Sequence, residues 1–295
     1  MQNGADTMSD VAIAVLPYGL KLGPKLAQTP VAELIWPHGC PDRLRGATIG
    51  DLGPQDHLVV FPRTNTHYQL SYGTRAQISL LLGEPSMIHA KHLRLLRLTH
   101  RRFYKVLTFS QYLLDRLPNA LFFPLGTTWV PEWRDLPLNK TDMCSLIASA
   151  KRDSSGHKLR HAMVDWVRAA GKPVEVMGRG YTAFDRKSDG LAPYRYSIVI
   201  ENVQERNYFS EKLVDAILCN TVPIYWGCPN LGEFMDTDGI IQCQSEAEMR
   251  AAVEAMSEDD FQRRLPKILA LQAQVLPYCD LERRAVDAIA GSLSR

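Results

Sequence analysis

Ser210-Glu211-Lys212 sets a hydroxyl, a carboxylate and an ammonium on consecutive residues, shortly after a second carboxylate and an amide, Glu201-Asn202. Serine is a preferred helix N-cap, so Glu211 and Lys212 fall in a first helical turn. Unpaired N–H groups at that helix start, with the Lys212 ammonium beside them, suit a diphosphate. Glu211 can accept hydrogen bonds from ribose or sugar hydroxyls. Glu201 and Asn202 end an apolar, β-branched run, Tyr196-Ser-Ile-Val-Ile200, which reads as a buried strand. They therefore stand at a strand's carboxyl end, where open α/β sheets bind ligands.

Two further carboxylate motifs carry chemistry. Gly83-Glu84-Pro85 follows the apolar run Ile78-Ser-Leu-Leu-Leu82, so Glu84 is held at a sheet rim between a permissive glycine and a rigid proline. A carboxylate so held can accept a proton; the plainer alternative is an exposed loop glutamate. Asp236-Thr-Asp238 could share a divalent cation on a diphosphate, but it lies between a short helical piece, Leu231–Met235, and Gly239-Ile-Ile-Gln242. That context reads as an acidic turn, and no metal is expected. The six cysteines are scattered with no CxxC pair, which fits reduced thiols, several in the core, rather than disulfides or a zinc site.

The elements that position these groups are strands alternating with helices, which predicts α/β architecture with mostly parallel sheets. After the Tyr196–Ile200 strand, a helix runs from Ser210 to about Cys219. Thr221 and Pro223 break it, and Val222-Pro-Ile-Tyr-Trp226 forms the next strand. A strand–loop–helix–strand unit is a βαβ crossover. In the first half, strands are expected at Val11–Leu16, Glu33–Trp36, His57–Phe61, Ile78–Leu82, Lys105–Phe109 and, weakened by its proline, Leu121–Leu125. Residues 126–140 read as a connection. Met143–Ala148 opens a second sheet, a helix follows from His157 to Ala170, and Val174–Met177 is the next strand, followed by Gly178-Arg-Gly180. Asp185 to Ala192 reads as a polar loop that buries little. The tail is helical, with a capping box at Ser245-Glu-Ala-Glu248.

The order YxxxxxxEN from Tyr194, YxSEKxxDA from Tyr208 and VPIYWGxP from Val222 resembles the nucleotide-binding signature of the α1,3/α1,4-fucosyltransferases (glycosyltransferase family 10), the bacterial members above all. The resemblance implies an α/β, GT-B-like fold with two Rossmann-type domains facing a cleft: residues 1–135 on the acceptor side, residues 141–295 binding the nucleotide sugar and carrying the helical tail. By analogy with two-domain transferases, the last helix crosses back to the first domain. It implies Glu84 as the catalytic base and Arg160 as the arginine that pairs with the diphosphate, its planar fork matching two phosphate oxygens; Arg152 is the alternative. Glu201, Asn202, Tyr208, Glu211 and Lys212 match the family's donor-binding positions. The implied reaction is inverting transfer of fucose from GDP-fucose to a hydroxyl of a lipopolysaccharide or other oligosaccharide, with no cofactor or metal required. Alternatives are a transferase using GDP-mannose or a UDP-hexose, and a non-catalytic sugar-nucleotide-binding protein.

Composition bounds the rest. The 295 residues allow one large or two ordinary domains, and 45% hydrophobic with 22% charged residues is a globular balance. A net charge of +2 gives no reason to expect nucleic acid. The stretch from His89 to Arg102 is basic, with Lys91, Arg94, Arg97, His100, Arg101 and Arg102. It reads as a solvated helix face, the alternative being a patch that attracts anionic glycan or membrane headgroups. No apolar run approaches a membrane span of about 18 residues, and no signal peptide is evident. The expected setting is a bacterial cytoplasm, with peripheral contact at the inner membrane.

Overall fold

The computed structural model of the chain describes residues 11–137 and 139–293. Its first sheet contains β1 (Ile13–Val15), β2 (His57–Val60), β3 (Gln77–Leu82), β4 (Val106–Thr108) and β5 (Ala120–Phe122), in that order and parallel throughout. Parallel sheets are covered on both faces, which is why these strands are short apolar runs rather than alternating ones. Leu58, Val60, Ile78, Leu80, Leu82 and Val106 form the core with Leu96 of α1 (Ala90–Thr99). A short α2 (Gln111–Leu114) links β4 to β5.

One expected strand is replaced. Val31–Glu33 is a 3-10 turn, and only Ile35 pairs with β1, antiparallel, through two backbone bonds to Val15 of 2.9 and 3.0 Å. Pro30 and Pro37 bracket the stretch too closely for a ladder to extend, and the Trp36 Nε1–H turns back to the Val31 carbonyl at 2.8 Å. Within the basic run, Lys91, Arg94, Arg97 and Arg101 are exposed. Arg102, exposed as well, also ties down a loop through the Tyr72 hydroxyl and the Gln69 carbonyl.

The second sheet is built from β6 (Asp142–Ile147), β7 (Val174–Met177), β8 (Tyr194–Ile200), β9 (Val222–Trp226) and β10 (Ile241–Gln242), in the order β10-β9-β8-β6-β7 and again all parallel. α3 (Ser155–Ala169) connects β6 to β7, and α4 (Glu211–Leu218) connects β8 to the adjacent β9 as the crossover expected from sequence. α5 (Glu246–Glu254) and α6 (Glu258–Val275) complete the unit. Serines cap all four of these helices: Ser154, Ser210, Ser245 and Ser257 each accept from a first-turn amide. Tyr196 is a core residue; its hydroxyl lies 3.0 Å from both the Ser257 carbonyl and Asp260 Oδ2 and shares its one proton between them, joining β8 to the start of α6.

The chain order in this sheet reverses at β6. From β6 the chain moves outward to β7, then returns to place β8, β9 and β10 on the other side. The crevice beyond the carboxyl ends of β6 and β8 is the topological switch point, where such sheets take ligands.

Two boundaries differ from the sequence-based division. The compact units are Met1–Pro124 with Leu281–Arg295, and Leu125–Asp280. Residues after Leu125 join the second unit because Thr128 and Trp129 bond to Asp215 and Val130 enters its core. The last helix, α7 (Leu281–Leu293), belongs with the first sheet rather than with the second. Its apolar face, Ala285, Val286 and Ile289, is buried, and it packs against β1 and β2. Arg284 Nη2 donates to the Pro124 carbonyl at 2.6 Å.

All six cysteines are free thiols, with Cys144, Cys219, Cys228 and Cys243 buried. Among the described residues, no helix is long and apolar enough to cross a membrane.

Candidate active site

The loop after β8 is anchored by a buried carboxylate. Glu201 has no exposed surface. Its Oε1 accepts from the Ser210 N–H at 2.8 Å and its Oε2 from the Ser210 hydroxyl at 2.7 Å. A buried charge persists only when it is paired and hydrogen-bonded, and here it ties the end of β8 to the start of α4. The intervening loop turns at Asn207, whose φ of 66° is left-handed. Asparagine tolerates that conformation, and Asn230 clamps it by two bonds of 2.8 Å.

The α3 side closes on the same loop. Gly156 N–H donates to the Asn202 carbonyl at 3.0 Å. A Cβ at Gly156 would stand 1.8 Å from the Glu201 carbonyl oxygen, so only glycine permits this approach. One turn on, Arg160 is 5% exposed. Its Nε and Nη2 both donate to the Ile200 carbonyl, at 3.0 and 2.7 Å, and Nη2 also reaches Asn202 Oδ1 at 3.0 Å. Burial lowers the Arg160 pKa and nearby Glu201 counters it; the guanidinium remains charged at neutral pH. Nη1 takes no part in these bonds.

Lys212 stands at the other wall. Its ammonium lies 3.0 Å from Ser210 Oγ, 3.1 Å from Glu211 Oε1 and 3.6 Å from Glu201 Oε2. Burial pulls the Lys212 pKa down, but Glu201 and Glu211 outweigh it and raise it. Burial likewise opposes ionisation of Glu211, yet Lys212 and Lys187 overcome it and hold this carboxyl at about 2. Lys187 lies 3.7 Å from Glu211 Oε1 and 2.7 Å from Asp215 Oδ2. Asp215 is fully buried and accepts from the Thr128 hydroxyl at 2.6 Å and the Trp129 N–H at 3.1 Å. Burial raises its pKa against the pull of Lys187.

The fold gathers Arg160, Glu201, Asn202, Glu211 and Lys212 at the switch point; spacing places the last four at a strand end and a helix start, and the family resemblance adds Arg160. Tyr208 is 1% exposed and packs inside the unit. Glu201 is engaged on both oxygens by Ser210. Glu84 lies in the other unit, exposed, just past the carboxyl end of β3. Sequence reasoning missed Lys187 and the pairing role of Asp215. Asp215 stood inside the YxSEKxxDA pattern and could have been flagged as a helix carboxylate between buried apolar positions. Lys187 carried no such signal. The expectation that Asp185–Ala192 buries little is also corrected: Ser188, Gly190, Leu191 and Ala192 are buried, because Leu191 enters the core and Gly190 lies against Ile147 and Met177 beside β6.

Asp236 and Asp238 precede β10 and so lie at the amino edge of the sheet, opposite the loops that follow β6 and β8. Asp236 Oδ1 accepts from the Asp238 N–H at 2.9 Å, and Asp238 pairs with Lys267 at 3.4 Å. These contacts make the motif an acidic turn.

Residues 137–262 match the family model described as glycosyltransferase family 10 (fucosyltransferase), C-terminal. That match lies within the second unit and makes it similar to the C-terminal domain of that family. An alpha-(1,3)-fucosyltransferase of Helicobacter pylori is 38% identical over 47 residues, which are 16% of this chain and 10% of that protein. The aligned stretch thus spans about a tenth of the relative's length. Among solved structures, TarM matches with a TM-score of 0.52 at 9% identity, over 82% of this chain and 55% of TarM. An alpha1,3-fucosyltransferase with GDP matches with a TM-score of 0.48 at 18% identity, over 76% of this chain and 79% of that one. The likeness to TarM concerns the fold, which is of the GT-B class. The matched stretch includes α3, β8, α4 and β9, and so contains Arg160, Glu201, Asn202, Glu211 and Lys212.

Proposed function

We propose that the chain transfers fucose from GDP-fucose to a hydroxyl of a glycan acceptor, with inversion at the anomeric carbon. The observation that carries this reading is the Arg160, Glu211 and Lys212 constellation at the switch point of a domain similar to that of family 10. Glu84 removes the proton from the acceptor hydroxyl, and that oxygen attacks the anomeric carbon. The bond from that carbon to the diphosphate oxygen breaks, and GDP leaves with the electron pair. Arg160 Nη1, the Lys212 ammonium and the positive end of the α4 dipole take up the charge that develops on the diphosphate. No metal is required, since the two cations replace it. Lys212 is shared among three oxygens without ligand, so donor binding draws it away from Glu211 and frees that carboxylate for a ribose or sugar hydroxyl. The acceptor we have in mind is a lipopolysaccharide or related oligosaccharide.

Calorimetric titration with GDP, UDP and GDP-fucose, with and without EDTA, tests the donor site. Metal-independent GDP binding lost in Lys212→Ala is expected, together with transfer that collapses in Glu84→Gln while GDP-fucose still binds. UDP preference, or binding abolished by EDTA and by Asp238→Ala, would overturn the reading in favour of another nucleotide sugar. Donor binding without turnover on any glycan would leave a sugar-nucleotide-binding protein.

A further inference from the structure

The carboxyl rim of the first sheet carries a groove of about 780 Å3 lined by Lys21, Arg63, Thr64, Asn65, Tyr68 and Gln69. These residues come from the loops after β1 and β2. Parallel pairing of β2 with β3 puts them on the same edge as Glu84, which follows β3. None of them is acidic.

The side chains are arranged for a saccharide with a negative charge. Tyr18 and Tyr68 are 74% and 58% exposed, two aromatic rings kept in water on one rim. Each is braced rather than loose: Tyr18 packs edge-on against Phe61 at 5.8 Å, and Tyr68 against His67 at 6.4 Å. The apolar face of a pyranose ring can lie on such platforms. Gln69 Nε2 donates to the Leu22 carbonyl at 2.8 Å, while its Oε1 is buried without a partner. Gln69 is thereby held in the groove wall. Arg63 is fixed in advance: Nη2 donates to the Tyr18 carbonyl, and the guanidinium sits over the Tyr18 ring, 5.2 Å from its centroid. A pre-set arginine loses little freedom on binding an anion, and Lys21 adds a second cation.

We infer that this groove is the acceptor subsite and that it selects acidic saccharides, with Arg63 and Lys21 on a carboxylate or phosphate and Tyr18 and Tyr68 on the sugar faces. The assignment rests on the proposed transfer reaction, whose base stands on the same rim.

The test uses a galactose-terminated neutral trisaccharide, its glucuronate-bearing counterpart and its phosphorylated counterpart. Acceptor KM and kcat are measured with GDP-fucose for the wild type, Arg63→Gln, Arg63→Lys and Tyr68→Ala. Saturation-transfer NMR reads acceptor binding without donor, and thermal unfolding checks that each variant is folded. In the wild type, one or both acidic acceptors should show a KM at least about tenfold below the neutral one, the size of one charge-assisted bond. Arg63→Gln should erase most of that ratio through KM rather than kcat, and Arg63→Lys should restore part of it. Tyr68→Ala should weaken all three acceptors alike. The stronger acidic arm identifies the anion. Equal KM values across the three acceptors, or a ratio untouched by Arg63→Gln, would overturn the inference. If GDP-fucose is not turned over, the transfer reading fails by itself. The NMR comparison of acidic and neutral trisaccharides, which needs no donor, still decides the groove.

Discussion

Lys212→Met should expose how the donor-side charges hold one another. In the wild type, Glu211 is kept at about 2 instead of 4.5. At about 1.4 kcal/mol per pH unit, that depression contributes on the order of 3 kcal/mol to folding. The folded pKa is below the unfolded one, so this contribution is complete above pH 4.5 and is lost as pH falls toward 2. Removing one partner of a buried pair costs roughly 3–5 kcal/mol. Lys212 keeps a quarter of its side chain in water, so about 2–3 kcal/mol is expected at pH 7. Methionine restores the stem but not the charge. Glu211 is then left with Lys187 alone at 3.7 Å, and its pKa moves back up. Urea unfolding followed by tryptophan fluorescence at pH 7, 5, 4 and 3 measures the effect. The gap between wild type and variant should narrow below pH 4.5, because Glu211 of the unfolded chain then takes up a proton that the folded wild type, held at about 2, does not, and this costs the wild type more stability than the variant. A gap that stays constant from pH 7 to 3, or a variant as stable as wild type at pH 7, would refute this account of the cluster.

Gly156→Ala drives a methyl to within 1.8 Å of the Glu201 carbonyl oxygen; a cost of about 1–3 kcal/mol and a weakening of GDP binding of at least about tenfold (calorimetry) are expected from the displaced loop. Asp215→Ala leaves Lys187 without its 2.7 Å counter-charge and should cost roughly 3–5 kcal/mol in urea melts. Asp215→Asn retains a carbonyl for Thr128 and Trp129 and should cost less, so equal losses would argue against the charge. Ser210→Ala removes both the α4 cap and the Glu201 partner, for a loss of about 1–2 kcal/mol, while Ser210→Thr should stay near wild type in the same melts.

Local signals made much of the second unit legible. An apolar β-branched run, a serine cap, and a Thr221–Pro223 break specify β8, α4 and β9 because each acts over a few residues. The crossover then follows from chirality and connection length. The same locality put Glu201, Glu211 and Lys212 near one another before any coordinates. It failed at Glu33–Trp36, where apolar content suggested a strand but flanking prolines left room for a single bridge.

Tertiary structure decided what depends on residues far apart in the chain. Whether Glu201 faces ligand or interior turned on where the Ser210 hydroxyl came to rest, and both its oxygens are spent there. The Lys187–Asp215 pair and the return of α7 to the first sheet join segments with no shared local pattern. Sequence determines which side chains can carry charge and which short runs must be strand or helix, since propensity and capping are local free energies. Burial, pairing and the resulting pKa values are properties of the packed chain, set by which distant groups share a low-dielectric space.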